Sequence, residues 1–485
     1  MAYKHGVFVS EIPTSIIPPV LATAGLPVVF GTAPINLGAD QQYANKPFLA
    51  YSKEEAIAAL GYSSDWEKYS LCEFMVSYFD LFNVAPVVFV NVLNLTDHKL
   101  AIVDTARTLV GGIVKLAQTG ILLNTLVLKL TVGGTLLVKN TDYTAAFNSA
   151  GEVVITRVVG GLLVAANSTF VASYDYLDAA AVDSADIIGG VDGTTGAVTG
   201  LELINKVFPL FQLVPGQIVA PGWSHNSAVA AVMVAKASSI NGLFKAIAIT
   251  DVDATNAGAD LYTEVPAWKN TNNYSSTFQL VGWPKLMLDD VIYYMSSQLA
   301  GLISKTDALN DDIPYVSPSN QNLQAVSAVT AAGLEVSLGP DQAAYLNGNG
   351  IITAMNFIGG WKLWGNYTGA FPASTDVKDV FGSIRRMFNW VGNTIILTFM
   401  SKVDSPMKKR TIDSIVDSLN IWLNGLTARG ALLGGHVEFR TSENPSTDLL
   451  AGKVNLHVFL TPPVPMQEIN FALEFDVNNL NALFA

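Results

Sequence analysis

Five prolines sit in the first long uncharged stretch of the chain, Ile12–Ala39, at positions 13, 18, 19, 27 and 34. Proline removes a backbone donor and clashes with the preceding helical turn, so no helix runs through such a stretch. This matters because the chain is apolar enough to raise the question of a membrane. Half of its 485 residues are hydrophobic, only 14% are charged, and the mean hydropathy is +0.36. A spanning helix needs about 18 or more nearly uninterrupted apolar residues. Ile12–Ala39 fails through its prolines, and Ile121–Val138 fails through Asn124, Lys129 and Gly133-Gly134. A signal peptide also fits poorly, because Glu11 and the prolines interrupt any apolar run ahead of Ala22-Thr23-Ala24.

The same composition excludes disorder. Forty carboxylates against 27 Lys and Arg give a net charge of −13, and a general nucleic-acid binder would lean basic. The single Cys72 cannot form an internal disulfide, which agrees with a reducing compartment. The apolar surplus is therefore expected in large cores and extensive subunit interfaces.

Pattern divides the chain into six parts. Residues 1–22 read as a proline-flanked extended arm. Residues 23–95 read as α/β, with strands at Pro27–Phe30 and Pro86–Val92, a capping box at Ser52–Glu55, and a helical stripe from Leu71 to Phe79. Residues 96–182 carry short β-branched segments, Leu126–Leu130, Leu136–Lys139, Val153–Arg157 and Phe170–Tyr174, between Gly, Asn and Asp turns, which predicts a small inserted β-sandwich. Residues 183–340 return to strand–helix alternation and a parallel or mixed sheet. Strands are expected at Gln217–Ala220, Ala246–Thr250 and Gln279–Val281. A helix face is expected from Leu288 to Ile303, with Asp289-Asp290 at its N-terminus. Residues 341–465 form a last unit with one helix from Val377 to Val391 and a second opening at Ser405-Pro406. Residues 466–485 form a second arm, in which Ile469, Phe471, Leu473 and Phe475 share one face. The expected fold is thus α/β and α+β multidomain: a mixed-sheet core, an inserted β-sandwich and two extended arms.

Catalytic chemistry is weakly represented. The five histidines are His5, His98, His225, His436 and His457, and Ser224-His225 is the only adjacent Ser–His pair. There is no Gly-x-Ser-x-Gly elbow. Cys72 lies mid-helix among Leu71, Phe74 and Met75, where it reads as a small core residue. Asp251–Asp253 reads as a turn, Gly189–Gly193 lacks a phosphate-loop lysine, and Asn347–Gly350 is a turn cluster. No cofactor, metal or catalytic residue is expected. Charge is distributed unevenly instead. Residues 376–461 carry ten Lys/Arg and eight Asp/Glu, a net of +2. Lys408, Lys409 and Arg410 crowd the start of a helix, where cations oppose the dipole. That arrangement calls for an acidic partner.

Several stretches resemble the tail sheath proteins of contractile phage tails and related injection particles. Gly359–Thr368 is similar to the family stretch ending in Trp-Gly-Ala-Arg-Thr, with Asn366-Tyr367 in place of Ala-Arg. Ser383–Trp390 is similar to its Asn-Val-Arg-Arg-Leu helix. Gly430–Gly434, Thr461–Pro465 with Ile469–Phe471, Thr141–Thr144 with Gly151–Thr156, Ile187–Asp192, and His5–Val7 with Glu11 follow in family order. The resemblance implies a structural subunit that stacks in hexameric rings around an inner tail tube and contracts to drive it through a cell envelope. It implies a virion tail location with assembly in a bacterial cytoplasm. Copies of itself, the tube protein, and baseplate and tail terminator proteins are the implied partners, with neither nucleic-acid binding nor membrane insertion. Val7, Val9, Ile469, Phe471, Leu473 and Phe475 would be inter-subunit arm residues. Lys408, Lys409 and Arg410 would contact the tube, and Arg385 and Arg386 would pair with a neighbour's carboxylates. A subtilisin-like hydrolase and a surface-layer or adhesin protein are the competing readings.

Overall fold

The computed structural model describes residues 17–39, 41–477 and 479. The expected arm residues Val7 and Val9 lie outside them. Three short strands come first: β1 (Pro27–Gly31), β2 (Pro47–Ala50) and β3 (Val87–Asn91). The chain then leaves for an inserted unit of six strands: β4 (Lys99–Thr108), β5 (Ile113–Leu116), β6 (Val127–Lys129), β7 (Tyr143–Phe147), β8 (Val153–Arg157) and β9 (Thr169–Leu177). It returns as β10 (Gln217–Val219), β11 (Ile247–Asp251) and β12 (Gln279–Gly282).

The central sheet has the order β12-β11-β10-β1-β3-β2. Every neighbouring pair is parallel except the antiparallel β2–β3 edge. All five residues of β1, of β3 and of β11 are buried. Helices cover both faces of such a sheet, so its strands need no polar face. This is why PVVF and VVFVN are legible as continuous apolar runs.

The inserted unit forms two three-stranded antiparallel sheets, β4-β9-β6 and β5-β8-β7. They share a core of their own, including Leu116, Leu128, Tyr143, Ile155, Phe170 and Tyr174. Entry and exit lie side by side: Asp178 N–H donates to the His98 carbonyl at 2.9 Å, and His98 Nε2 meets Asp186 at 3.2 Å. The expected strand Leu136–Lys139 is reduced to two isolated bridges, Leu136 to Lys129 and Lys139 to Tyr143.

Beyond the sheet, β13 (Lys285–Leu288) and β14 (Val291–Tyr293) form a hairpin, and α1 spans Met295–Ala308. The helix expected from Leu288 therefore begins seven residues later. Asp289 and Asp290 both take left-handed backbone angles, φ 52° and 61°. Asx residues tolerate that conformation and make a two-residue hairpin turn. The final unit carries α2 (Gly382–Phe399), α3 (Lys409–Ala428), β15 (Gly434–Glu438) and β16 (His457–Thr461). The helix expected from Val377 is broken at Phe381, whose extended backbone bridges Tyr367. The second helix starts at Lys409 rather than Ser405. Asp404 turns the chain with φ 63°, and Lys408 is still extended as the N-cap. Among the described residues, no helix is long and apolar enough to cross a membrane.

Candidate assembly surfaces

Strand β16 ends at Thr461, and residues 462–476 take no regular structure. The four alternating apolar side chains are strongly exposed: Ile469 62%, Phe471 84%, Leu473 97% and Phe475 76%. The alternation expected for a strand is present, yet among the described residues it joins no ladder. The arm is tethered at its root. Tyr367 Oη donates to Gln467 Oε1 at 2.7 Å, and the Tyr367 ring stacks on Phe371 at 3.8 Å. Tyr367 stands where the resembled family has arginine.

Strands β15 and β16 pair antiparallel from Gly434–Thr461 to Glu438–His457. They form a two-stranded sheet, so among the described residues both outer edges are unpaired. A lone two-stranded ribbon is marginal in water, and this one is held against α3. Asn420 on α3 donates to the Val437 carbonyl at 3.1 Å and accepts from its N–H at 2.8 Å. On the other face Phe459 stacks on His436 at 4.5 Å and lies 4.4 Å from His457. The Arg440 guanidinium covers the same ring at 4.9 Å. Arg440 also holds the Glu438 carboxyl below its ordinary range through a 2.9 Å ion pair.

Lys408, Lys409 and Arg410 are exposed at the start of α3. Among the described residues none of them forms an ion pair. Arg385 and Arg386 behave differently, and the expectation of pairing with a neighbour is corrected. Arg386 Nη1 reaches Asp307 Oδ1 on α1 at 3.1 Å, with side chains only 4% and 1% exposed. Burial pushes the Asp307 carboxyl up and the guanidinium pulls it back. Arg385 pairs with Asp379 at 3.1 Å and bonds Asn389 at 3.2 Å. Two buried cations need partners at hand, and the chain supplies both itself.

A feature invisible to residue spacing lies beside them. The segment Ile17–Leu26 runs along α2 without regular structure, and helix side chains bond its backbone. Trp390 donates to the Ala22 carbonyl at 2.9 Å, Arg386 to the Ala24 carbonyl at 3.4 Å. Thr394 and Thr398 accept from the N–H groups of Ala22 and Val20 at 3.2 and 2.9 Å. The helix also carries Ser383, Arg385, Asn389 and Asn393, so its sequence does not single out the positions that meet this segment.

The hydrolase reading finds no support in the geometry. Ser224 Oγ donates to Asp251 Oδ2 at 3.1 Å in a buried site, where Ser296 also donates to Asp251, at 2.6 Å. Among the described residues no histidine takes part in that network. Glu73 accepts from Ser297 at 2.6 Å, and full burial pushes its carboxyl up to about 8. Cys72 is fully buried and its thiol is pushed up to about 12.

Comparison with known proteins bears on these surfaces. No family model matches the chain. The tail sheath protein of Burkholderia phage BcepMu is 28% identical over 486 residues, covering 97% of this chain and 96% of that protein. The chain is related to the tail sheath proteins. The tail sheath protein of Escherichia phage P2 is 24% identical over 296 residues, covering 59% of this chain and 70% of the relative. Among solved structures, the contracted sheath complex of the extracellular contractile injection system PVC aligns with a TM-score of 0.56 at 14% identity, over 99% of both chains. The contracted helical sheath of the anti-feeding prophage gives 0.57 at 14% identity, over 98% of this chain and 100% of the other. These two likenesses concern the fold, and they place a sheath fold under the exposed arm and the open ribbon.

Proposed function

We propose that the protein is a non-enzymatic structural subunit of a contractile tail sheath. It polymerises as stacked hexameric rings around an inner tail tube and contracts to drive the tube through the target cell envelope. The observation that carries this reading is the exposed alternation Ile469, Phe471, Leu473 and Phe475 on the same chain as an open two-stranded ribbon. An added strand gains main-chain hydrogen bonds, and those tolerate rotation of the bodies at either end. The arm of one copy and the β15–β16 edge of the next are complementary in this sense. A contact between two different patches of one chain is head-to-tail: it makes a ring where the rotation closes and a helical assembly where it does not.

Val7 and Val9 are assigned the same role at the other end of the chain. Lys408, Lys409 and Arg410 are assigned to the tube, since three unpaired cations at a helix start favour an acidic surface. The baseplate and a tail terminator bound the assembly, the finished sheath belongs to a virion tail, and assembly takes place in the bacterial host cytoplasm. Contraction needs no nucleotide in this scheme. A metastable lattice relaxes to one that buries more surface.

Negative-stain microscopy of the purified chain tests the reading. Hollow tubes or stacked rings of uniform width are expected. A monodisperse monomer with no higher assembly under any condition that assembles the relatives would contradict it.

A further inference from the structure

The inserted unit carries one tripeptide three times. Val110-Gly111-Gly112, Val132-Gly133-Gly134 and Val159-Gly160-Gly161 lie between β4 and β5, after β6, and between β8 and β9. Gly111, Gly133 and Gly160 take left-handed backbone angles, φ 63°, 69° and 97°, which glycine adopts without strain. The register puts all three turns at one end. Strand β4 runs from Lys99, opposite Leu177 at the root, to Thr108, opposite Thr169, about 30 Å away. Ile113 faces Thr156, Tyr143 faces Arg157 and Lys129 faces Val171 toward that same far end. Main-chain bonds knit the loops together. Gly112 N–H donates to the Ala166 carbonyl at 2.7 Å, Arg157 N–H to the Gly112 carbonyl at 3.0 Å, and Val158 N–H to the Asp142 carbonyl at 2.9 Å. The side chains reverse the usual order of a surface loop. Asp142 is buried, and its carboxylate accepts from the N–H groups of Val138 and Leu162 at 2.7 and 2.8 Å. The Arg157 guanidinium turns to the Leu163 and Val164 carbonyls at 3.3 and 3.1 Å. Val110, Val132 and Val159 point outward instead, 78%, 69% and 83% exposed, and Leu136, Val138 and Val164 are exposed as well.

We propose that this tip docks on the tip of a second copy of the chain. The proposal rests on the sheath reading for its supply of copies, and it adds a contact separate from the C-terminal arm and the β15–β16 ribbon. Six exposed aliphatic residues make several hundred Å2 of apolar surface, the range in which a patch marks an interaction site. Two copies meeting there bury on the order of 1,000 Å2, the size of a weak interface. Charge fits the same occupant. Of the three charged residues in segments 109–113, 130–142 and 157–168, Lys139 alone is exposed. Two tips therefore approach with little charge to desolvate, whereas a nucleic acid would call for a cluster of cations. Those segments hold no aromatic residue and their one arginine is turned inward, so the anchors of a tight single contact are missing. The contact is weak alone and gains by repetition, because copies held in a polymer meet at high effective concentration. One side of a tip against the other side of the next makes it head-to-tail, so a row of copies can continue it.

The test mixes full-length chains carrying Val110→Cys with chains carrying Val159→Cys and treats them with a short bismaleimide after assembly. The native Cys72 is buried and stays unreacted. Val103→Cys is the control, since Val103 is 71% exposed but lies midway along β4. Links between molecules should form at least about tenfold faster through the tip cysteines than through the control. A variant without new cysteines, Val110→Ser with Val159→Ser and Val164→Ser, should keep the thermal midpoint of the subunit and raise the critical concentration for assembly by about tenfold. Tip links no faster than the control overturn the proposal. Flotation of the free chain with neutral lipid vesicles, lost in the triple serine variant, also overturns it, because the partner is then a bilayer. If the chain forms no tubes, the sheath reading fails by itself. The links are then read on free chains at millimolar concentration, where their absence overturns the tip contact as well.

Discussion

The central sheet and the C-terminal unit treat their polar and apolar groups in opposite ways. In the core, Asp251 has Ser224 and Ser296, Glu73 has Ser297, and Arg386 has Asp307, all within one chain. In the C-terminal unit, Phe471 and Leu473 face solvent, and among the described residues both ribbon edges are open and three cations at a helix start lack ion-pair partners. One region is finished when the chain folds. The other holds groups that neighbours would bury and pair in the proposed sheath, and that is where an apolar, sparsely charged composition would find its use.

The largest expected effect separates assembly from folding. Deleting residues 466–485 should abolish polymerisation while leaving the thermal midpoint of the subunit nearly unchanged. Tubes formed by the truncated chain, seen by negative stain, would erase the contrast between the two regions. Next in size is a break in the finished region. Arg386→Met strands Asp307 in the core, and chemical denaturation should show a loss of about 3–5 kcal/mol. A loss below about 1 kcal/mol would mean that the pair behaves like a surface contact.

Glu73 gives a smaller, pH-dependent effect. Its carboxyl keeps its proton up to about 8 in the folded chain, against an ordinary value of 4.5. The unfolded chain releases that proton earlier, so this contribution to stability falls as pH rises from about 4.5 to about 8. Glu73→Gln should remove the fall, read from urea midpoints across that range, and parallel profiles for both proteins would refute it. The smallest effect on the subunit concerns the cations. Changing Lys408, Lys409 and Arg410 together to Glu should raise subunit stability slightly, by about 0.3–1 kcal/mol per charge at most. It should also block assembly on a tube while sparing self-assembly. Unchanged tail assembly would remove these residues from the tube contact.

The parts of this division that were legible in sequence are those set by local pattern. Buried parallel strands appear as PVVF and VVFVN because neither face needs a polar residue. The arm appears as alternation because a strand has period two. What escaped depends on residues far away in sequence. Leu288, Val291, Ile292 and Met295 satisfy helical spacing, yet two Asp residues in left-handed geometry turn the first three into a hairpin and leave Met295 to start the helix. Val377–Val391 keeps its period across Phe381, and spacing alone does not register that Phe381 bridges Tyr367. Arg386 advertised a charge in need of a partner, but Asp307 lies 79 residues back. The Thr394 and Thr398 hydroxyls likewise accept from Ala22 and Val20, 372 and 378 residues away.

Hydrogen exchange on the chain before and after assembly tests the contrast most directly. Amides of residues 466–477 and of the β15–β16 edges should pass from fast exchange in the free subunit to strong protection in the polymer. Those of β1, β3 and β11 should be slow in both. An arm that exchanges equally fast inside formed tubes would contradict the claim that assembly completes the C-terminal unit.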